Sequence, residues 1–443
     1  MSHSILDGLA KSPASTPVRS DNAYLKALHE VHGELVRRVD LASLRALSSQ
    51  DLESELRRHL TDLLRNRDIP LPSSERVRLV EDVINEIVGL GPIERLLHDP
   101  GVTDILINTE ETVYVERAGK LERTNIRFRD RAHLMHVIDR IVSAVGRRID
   151  ESSPMVDARL SDGSRFNAII PPLALDGPLV SIRRFGAKPI TRSDLVRLNS
   201  VPEPILLLLE ACVKAKLNIL VSGGTGSGKT TLLNVLSSFI PDDERIVTIE
   251  DAAELRLQQP HVCRLETRPR NLEGQGEIVA RDLVRNSLRM RPDRIIVGEI
   301  RGVEVIDMLQ AMNTGHEGSI STVHSNSARH ALGRVQTMVG LGMGNLPGPA
   351  IREMMSDALD LIVHVHRLQD GHRRLVSITE VTGMEGDVIS TQEIFRFRQR
   401  TVDPEGRVRG TFESTGIRPA FTARLEMHGM KLPSSMLSFS QEV

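Results

Sequence analysis

Aromatic side chains are scarce in this sequence: no Trp, two Tyr and nine Phe among 443 residues. Proteins that grip single-stranded nucleic acid stack bases on aromatic platforms, and such platforms are poorly supplied here. An excess of one charge is missing too. Fifty-seven Lys and Arg against 59 Asp and Glu leave a formal net charge of -2, too little to draw in a polyanion or an acidic membrane surface from a distance. Both absences count against a helicase and against a direct nucleic-acid partner. There are two cysteines, Cys212 and Cys263, far apart and without metal-ligand spacing, as expected of buried thiols in a reducing compartment. No secretory apolar segment opens the chain, and no apolar run approaches the ~18 residues of a bilayer span. The expectation is a cytoplasmic protein that meets a membrane only through partners.

The length suits two or three domains, each with its own core. Residues 1–22, rich in Ser, Pro and Ala, offer too little apolar surface to offset ordering entropy and are expected to form a flexible tail. Over residues 23–72, Leu25, Leu28, Val31, Leu35 and Val39, then Leu52, Leu56, Leu60, Leu63 and Leu64, recur at three- and four-residue steps. That is a helical module, either packed on its neighbour or a docking element for a partner. Residues 73–186 mix an amphipathic helix (Val77 to Val88) and a second one (Leu134 to Val145) with short β-rich runs at Thr103–Asn108, Thr112–Arg117, Asn125–Arg129, Val156–Leu160, Ser164–Ile170 and Leu179–Phe185. Asp162-Gly163 is a hairpin signal, and the whole predicts an α+β domain. The proline-bearing stretch 187–204 is expected to be a linker. From 205 to 443, strands at Asn218–Val221, Arg245–Glu250 and Arg294–Val297 alternate with helical patterns, which predicts an α/β domain with a mostly parallel sheet and helices on both faces.

The chemistry gathers around Leu217–Thr231: an apolar run, a glycine-rich turn, then Leu232, Leu233, Val235 and Leu236 at helical spacing. Gly223, Gly224, Thr225, Gly226, Ser227, Gly228, Lys229 and Thr230 fit the G-x-x-x-x-G-K-[ST] pattern, with Thr231 following. In a loop of this kind the glycines let backbone N–H groups approach phosphate oxygens. Lys229 would reach the outer phosphates and the Thr230 hydroxyl would ligate Mg²⁺, at the positive end of the helix that follows. Arg294–Arg301 is a buried-strand run ending in Glu299, placed to meet Mg²⁺ or the attacking water. A second strand, Val247–Glu250, is followed by Asp251 and Glu254. Hydrolysis requires a carboxylate that orients or deprotonates water, and Glu250, Asp251, Glu254 and Glu299 are the candidates. Asn313–Ser327 adds His316 and His324 among Ser, Thr and Gly. Their spacing does not suit zinc and suits a polar sensor of the terminal phosphate better.

These four motifs resemble the secretion ATPase superfamily of type II and type IV secretion and type IV pili, and within it the CpaF/TadA group that assembles tight-adherence (Flp) pili. The phosphate loop at Gly223–Thr230, the "Asp box" at Ile249–Leu255, the strand-end Glu at Ile296–Arg301 and the "His box" at Thr314–His324 carry the resemblance. It spans about Leu79 to Arg424 and includes Val156–Asn167, Val180–Phe185 and Thr382–Asp387. It implies a RecA-like ATPase domain that hydrolyses ATP with Mg²⁺, preceded by a domain that closes over the nucleotide, in a homohexameric ring. It also implies an inner-membrane platform protein as partner, with the chain peripheral to that membrane. Glu254 falls on the glutamate that activates water, Glu299 on the metal-supporting position, and Arg165 and Arg183 on arginines that reach the phosphates. The His-box histidines lie eight residues apart, one more than in pilus retraction motors, and the four-cysteine zinc module of some type II members is absent. A substrate-transport ATPase of a type IV secretion channel, or a low-turnover nucleotide-gated switch, are the alternative readings.

Overall fold

The computed structural model describes residues 18–38, 49–65, 67, 69–117, 119–184, 190–270, 275–344 and 346–443. The chain divides into two compact units, Met1–Phe185 and Gly186–Val443.

Among the described residues the first unit opens with the helices α1 (Val18–Arg38), α2 (Ser49–Arg65) and α3 (Ser73–Ile87). Their apolar stripes bury one another: Leu28, Val31 and Leu35 meet Leu56, Leu60 and Leu63, and Leu79, Val80, Val83 and Ile84 complete the cluster. This corrects two expectations. Residues 18–22 belong to α1, while the rest of the expected tail lies outside the described residues. The helix at 73–87 packs with the helical module and not with the sheet beyond it. A short helix α4 (Glu94–His98) leads into β1 (Val102–Thr109), β2 (Thr112–Arg117) and β3 (Lys120–Arg123). Helix α5 (Arg131–Ala144) and strands β4 (Met155–Arg159), β5 (Arg165–Ile169) and β6 (Leu179–Arg183) follow. The antiparallel sheet runs β3-β2-β1-β6-β5-β4. The Asp130 carboxylate caps α5 by accepting from the His133 amide at 2.7 Å, and Leu134, Val137, Ile138, Ile141 and Val142 lay that helix against the sheet core. The strand expected at Asn125–Arg129 is irregular backbone. The hairpin partner of β2 is Lys120–Arg123, whose four residues are all exposed and so carry no alternation to read.

In the second unit the expected linker 187–204 is largely built into the fold; residues 185–189 lie outside the described residues. Helix α6 (Arg192–Arg197) starts in a capping box between Thr191 and Asp194, and Leu195 and Val201 enter the main core. Among the described residues the further α-helices are α7 (Glu203–Lys214), α8 (Lys229–Ser237), α9 (Ala280–Ser287), α10 (Glu304–Asn313), α11 (Ala328–Gly342), α12 (Gly348–Ala358) and α13 (Thr422–Met427). The strands are β7 (Ile219–Gly223), β8 (Ile246–Glu250), β9 (Val262–Glu266), β10 (Arg294–Ile300), β11 (Ile320–His324), β12 (Leu361–Arg367), β13 (Arg373–Glu385), β14 (Val388–Val402), β15 (Val408–Ser414) and β16 (Ser440–Glu442).

They form one sheet ordered β16-β15-β14-β13-β12-β7-β11-β10-β8-β9. From β9 to β12 all neighbours are parallel; from β12 to β16 all are antiparallel. The sheet is therefore mixed, and the expected mostly parallel arrangement holds for its β9–β12 half alone. Every residue of β7 and β8 is buried, as parallel strands covered on both faces require. One core carries α7 and α8 on one face, and a second carries α9 to α12 on the other.

Candidate active site

Strand β7 ends at Gly223, and Gly224–Gly228 turn the chain into α8. Gly228 is the N-cap at φ 95°, a left-handed conformation open to glycine at little cost. The turn folds tightly on itself: the Ser227 hydroxyl and the Lys229 ammonium donate to the Gly224 carbonyl at 2.8 and 3.0 Å. Lys229 Nζ lies 4.0 Å from Glu299 Oε1. Burial holds the Lys229 ammonium below its usual range against the pull of Glu299, and the guanidiniums of Arg301 and Arg334 act in the same direction as burial. Thr230 and Thr231 occupy the first turn of α8. The parallel order β8-β10-β11-β7 brings the C-terminal ends of four strands to this loop, where ligands sit in open α/β sheets.

Glu299, near the end of β10, is held by Arg301, whose Nη2 and Nε reach Glu299 Oε2 at 2.5 and 2.7 Å. Asp251 Oδ2 lies 3.3 Å from the same guanidinium. Arg301 is exposed; partial desolvation opposes its charge, yet hydrogen bonding to Glu299 and the fields of Glu299, Asp251 and Glu254 raise its pKa. It is thus the cation that two of the candidate acids, Glu299 and Asp251, contact. Glu250 behaves differently. It is 5% exposed, its Oε2 accepts from the Glu254 and Leu255 amides at 2.7 and 2.9 Å, and burial pushes its carboxyl up to about 7. A group so buried is no carrier of water, which leaves the exposed Asp251 and the half-buried Glu254 and Glu299 as the accessible carboxylates.

His324 ends β11 opposite Gly223, and its Nδ1 is 3.5 Å from the Thr225 hydroxyl. His316 does not join it. It precedes β11, at the far end of a strand that runs parallel to β7, so the structure brings one histidine of the two to the phosphate loop. Arg165 and Arg183 belong to the first unit, where strand register sets Arg159 opposite Arg165, Arg165 opposite Arg183, and Arg183 opposite Asp104. Like charges facing each other across strands are unfavourable. Asp104 Oδ1 offsets part of this at 3.0 Å from Arg183 Nε, while the Arg183 side chain stays 63% exposed.

Sequence reasoning missed three features of the loop's surroundings. The Arg373 guanidinium donates from Nε to the Gly226 carbonyl at 2.8 Å. Arg367 lies two residues beyond Val365, the strand partner of Gly223. Beneath the loop, Ser222 Oγ is 2.7 Å from Nδ1 of the buried His364. His364, Arg367 and Arg373 all lie far from the loop in sequence, and no motif marks them.

The residues present fit a nucleotide with Mg²⁺. A glycine turn at a helix N-terminus faces a buried ammonium, and Thr230 and Glu299 are the side chains that would hold the ion. Among the described residues no group of three His, Cys, Asp or Glu could cage a metal, so the remaining ligands would be phosphate oxygens and water, as is usual for Mg²⁺.

A strand, a glycine turn and a helix, faced by strand-end acids in a parallel sheet, form the arrangement of P-loop nucleotide-binding proteins. Within that class the chain belongs to the type II/IV secretion system protein family, whose model matches residues 86–403. The putative conjugal transfer protein Rv3659c of Mycobacterium tuberculosis is 40% identical over 309 residues, 68% of this chain and 87% of the relative. The type IV secretion system protein VirB11 of Brucella suis is 32% identical over 316 residues, 65% of this chain and 88% of the relative. Among solved structures, the pilus retraction motor PilT with bound ADP matches 64% of this chain and 80% of its own at 22% identity and a TM-score of 0.48. Among the described residues no helix is long and apolar enough to cross a membrane.

Proposed function

We propose that this protein is an ATP-hydrolysing motor of a membrane-anchored secretion or pilus machine. The observation that supports the reading is the meeting of the phosphate loop, Lys229, Glu299 and His324 at the C-terminal ends of β7, β10 and β11, with Glu254 in the turn that follows β8. Gly224–Thr230 bind the phosphates, Lys229 and Arg373 add positive charge, and His324 reports on the terminal phosphate through Thr225. Glu254 orients the attacking water. Bound Mg²⁺, held by Thr230 with Glu299 in support, would neutralise the phosphate oxygens. Arg165 and Arg183 complete the site when the first unit closes over the nucleotide, within a ring of identical subunits, most simply a hexamer.

Phosphate release by the purified chain with Mg²⁺ tests this directly. Wild type should turn over slowly, Lys229→Ala should neither bind nor hydrolyse ATP, and equal rates for the two would end the ATPase reading in favour of the gated switch.

For the machine itself we propose assembly of a tight-adherence (Flp) pilus through an inner-membrane platform protein, on the strength of the motifs at Ile249–Leu255 and Val156–Asn167. A second reading, a substrate-transport ATPase of a type IV secretion channel, is favoured by the names that the Mycobacterium tuberculosis and Brucella suis relatives bear. A deletion strain separates them: loss of surface pili supports the first, and loss of conjugal or protein transfer with pili intact supports the second.

A further inference from the structure

The acids around the phosphate loop are not equivalent, and the most buried of them has an unusual setting. Glu250 closes β8 with its side chain turned inside, whereas Asp251 next to it is exposed. One carboxyl oxygen takes both the Glu254 and the Leu255 amides. The other, Oε1, is buried and has no hydrogen-bond partner among the described residues. Burying a carboxyl with one oxygen unpaired costs free energy, and departures from local rules of this kind gather at functional sites.

The opposite flank of Glu250 explains where it is wedged. Ile249 is the register partner of Val297, so Glu250 lies beside Gly298, the residue before Glu299. A Cβ at position 298 would stand 2.9 Å from Glu250 Cγ, closer than real Cβ contacts come, so the glycine leaves the space that the Glu250 methylenes fill. The same Gly298 carbonyl accepts from the Thr322 hydroxyl at 2.7 Å, two residues before His324. One side chain therefore abuts the strand that carries Glu299 and ties down the turn that carries Glu254. The charged groups acting on it are Arg264 on β9, which favours the carboxylate, and Glu254, which disfavours it.

We infer that Glu250 is a positioning residue: wedged against Gly298 and bonded to the Glu254 and Leu255 amides, it fixes where the Glu254 carboxylate stands relative to Glu299. The inference rests on the ATPase reading above and deepens it. Buried as it is, Glu250 acts through Glu254, whose amide it holds. Its loss should therefore slow turnover while leaving ATP affinity, set by the phosphate loop, in place.

The test compares Glu250→Ala, Glu250→Gln and Gly298→Ala in the full chain. Loss of a group that orients a reacting residue typically costs about 10–100-fold in activity, so Glu250→Ala should lower kcat by that factor with KM for ATP unchanged. The glutamine carbonyl can accept the same two amides, so Glu250→Gln should recover most of kcat. Gly298→Ala, which displaces the Glu250 side chain from the other strand, should reproduce the alanine phenotype and serves if Glu250→Ala does not fold. Hydrogen exchange at the Glu254 and Leu255 amides should accelerate in Glu250→Ala and stay protected in Glu250→Gln. Wild-type kcat in Glu250→Ala, parallel loss of ADP binding and kcat, or a glutamine variant as slow as the alanine one would each overturn the inference. Should wild type show no turnover at all, the ATPase reading falls, and the amide exchange still decides whether Glu250 holds the turn.

Discussion

At Glu299 the geometry and the proposed chemistry pull in different directions. Its carboxylate is paired with Arg301, so supporting a metal requires that pairing to loosen as nucleotide arrives. Glu299→Gln keeps the shape and loses the charge. It should still bind ATP while hydrolysis drops by about 10²–10³, the range for removing one well-placed electrostatic group; single-turnover phosphate release beside a fluorescent-nucleotide titration measures both, and near-normal turnover would remove Glu299 from the catalytic set. His364 makes a second residue-level test. It is 4% exposed, and burial, with His366 adding, lowers its pKa to about 4. Between about pH 6.5 and 4 the unfolded chain takes up a proton that the folded chain refuses, so this group's contribution is complete at neutral pH and falls as pH drops. The loss from pH 7 to pH 5 should be about 2 kcal/mol, read as a shift in denaturant midpoint and absent from His364→Gln. An equal acid shift in both proteins would show that other groups govern it.

At the scale of elements, legibility followed how locally a feature is encoded. The phosphate loop, the strand-end acids and β7, β8 and β10 lie in contiguous stretches where glycine spacing, apolar runs and acids speak together. The antiparallel strands β13 to β16 were missed because their exposed faces carry charge, as at Arg396, Arg398 and Arg400, and dilute the apolar signal. The stretch Asn125–Arg129 misled in the opposite sense: Ile126 and Phe128 alternate as in a strand and both pack on the core, yet their backbone joins no strand ladder. The hairpin of β12 and β13 brings Arg373 to the phosphate loop across 147 residues of chain, a relation no local pattern holds. Its guanidinium braces the loop through the Gly226 carbonyl, and charge-assisted bonds of this type are stronger than neutral ones. Arg373→Ala should weaken nucleotide binding by about 3–10-fold, or ~1 kcal/mol, seen in a titration with ADP; unchanged affinity would make the contact incidental.

At the scale of the whole molecule the two units carry separable parts of the proposed activity. Arg183 is largely exposed and sits across from Arg165, so removing it relieves like-charge repulsion as it breaks one surface ion pair. Exposed pairs contribute about 0–1 kcal/mol. Arg183→Ala should therefore leave the denaturation midpoint nearly unchanged while lowering ATP turnover, and a variant that hydrolyses normally would confine the active site to the second unit. The ring is the stronger demand. Work is extracted from hydrolysis only if turnover changes an interface, and a ring of identical subunits needs a heterologous interface that closes on itself. Specific activity should accordingly rise with protein concentration and level off once rings form. Mass photometry with and without a non-hydrolysable ATP analogue, set beside a dilution series of phosphate release, measures both quantities on the same sample. Assembly that tracks activity, toward six subunits, supports a motor; constant specific activity from a species that stays monomeric throughout would leave a nucleotide-gated switch as the better account of the same phosphate loop.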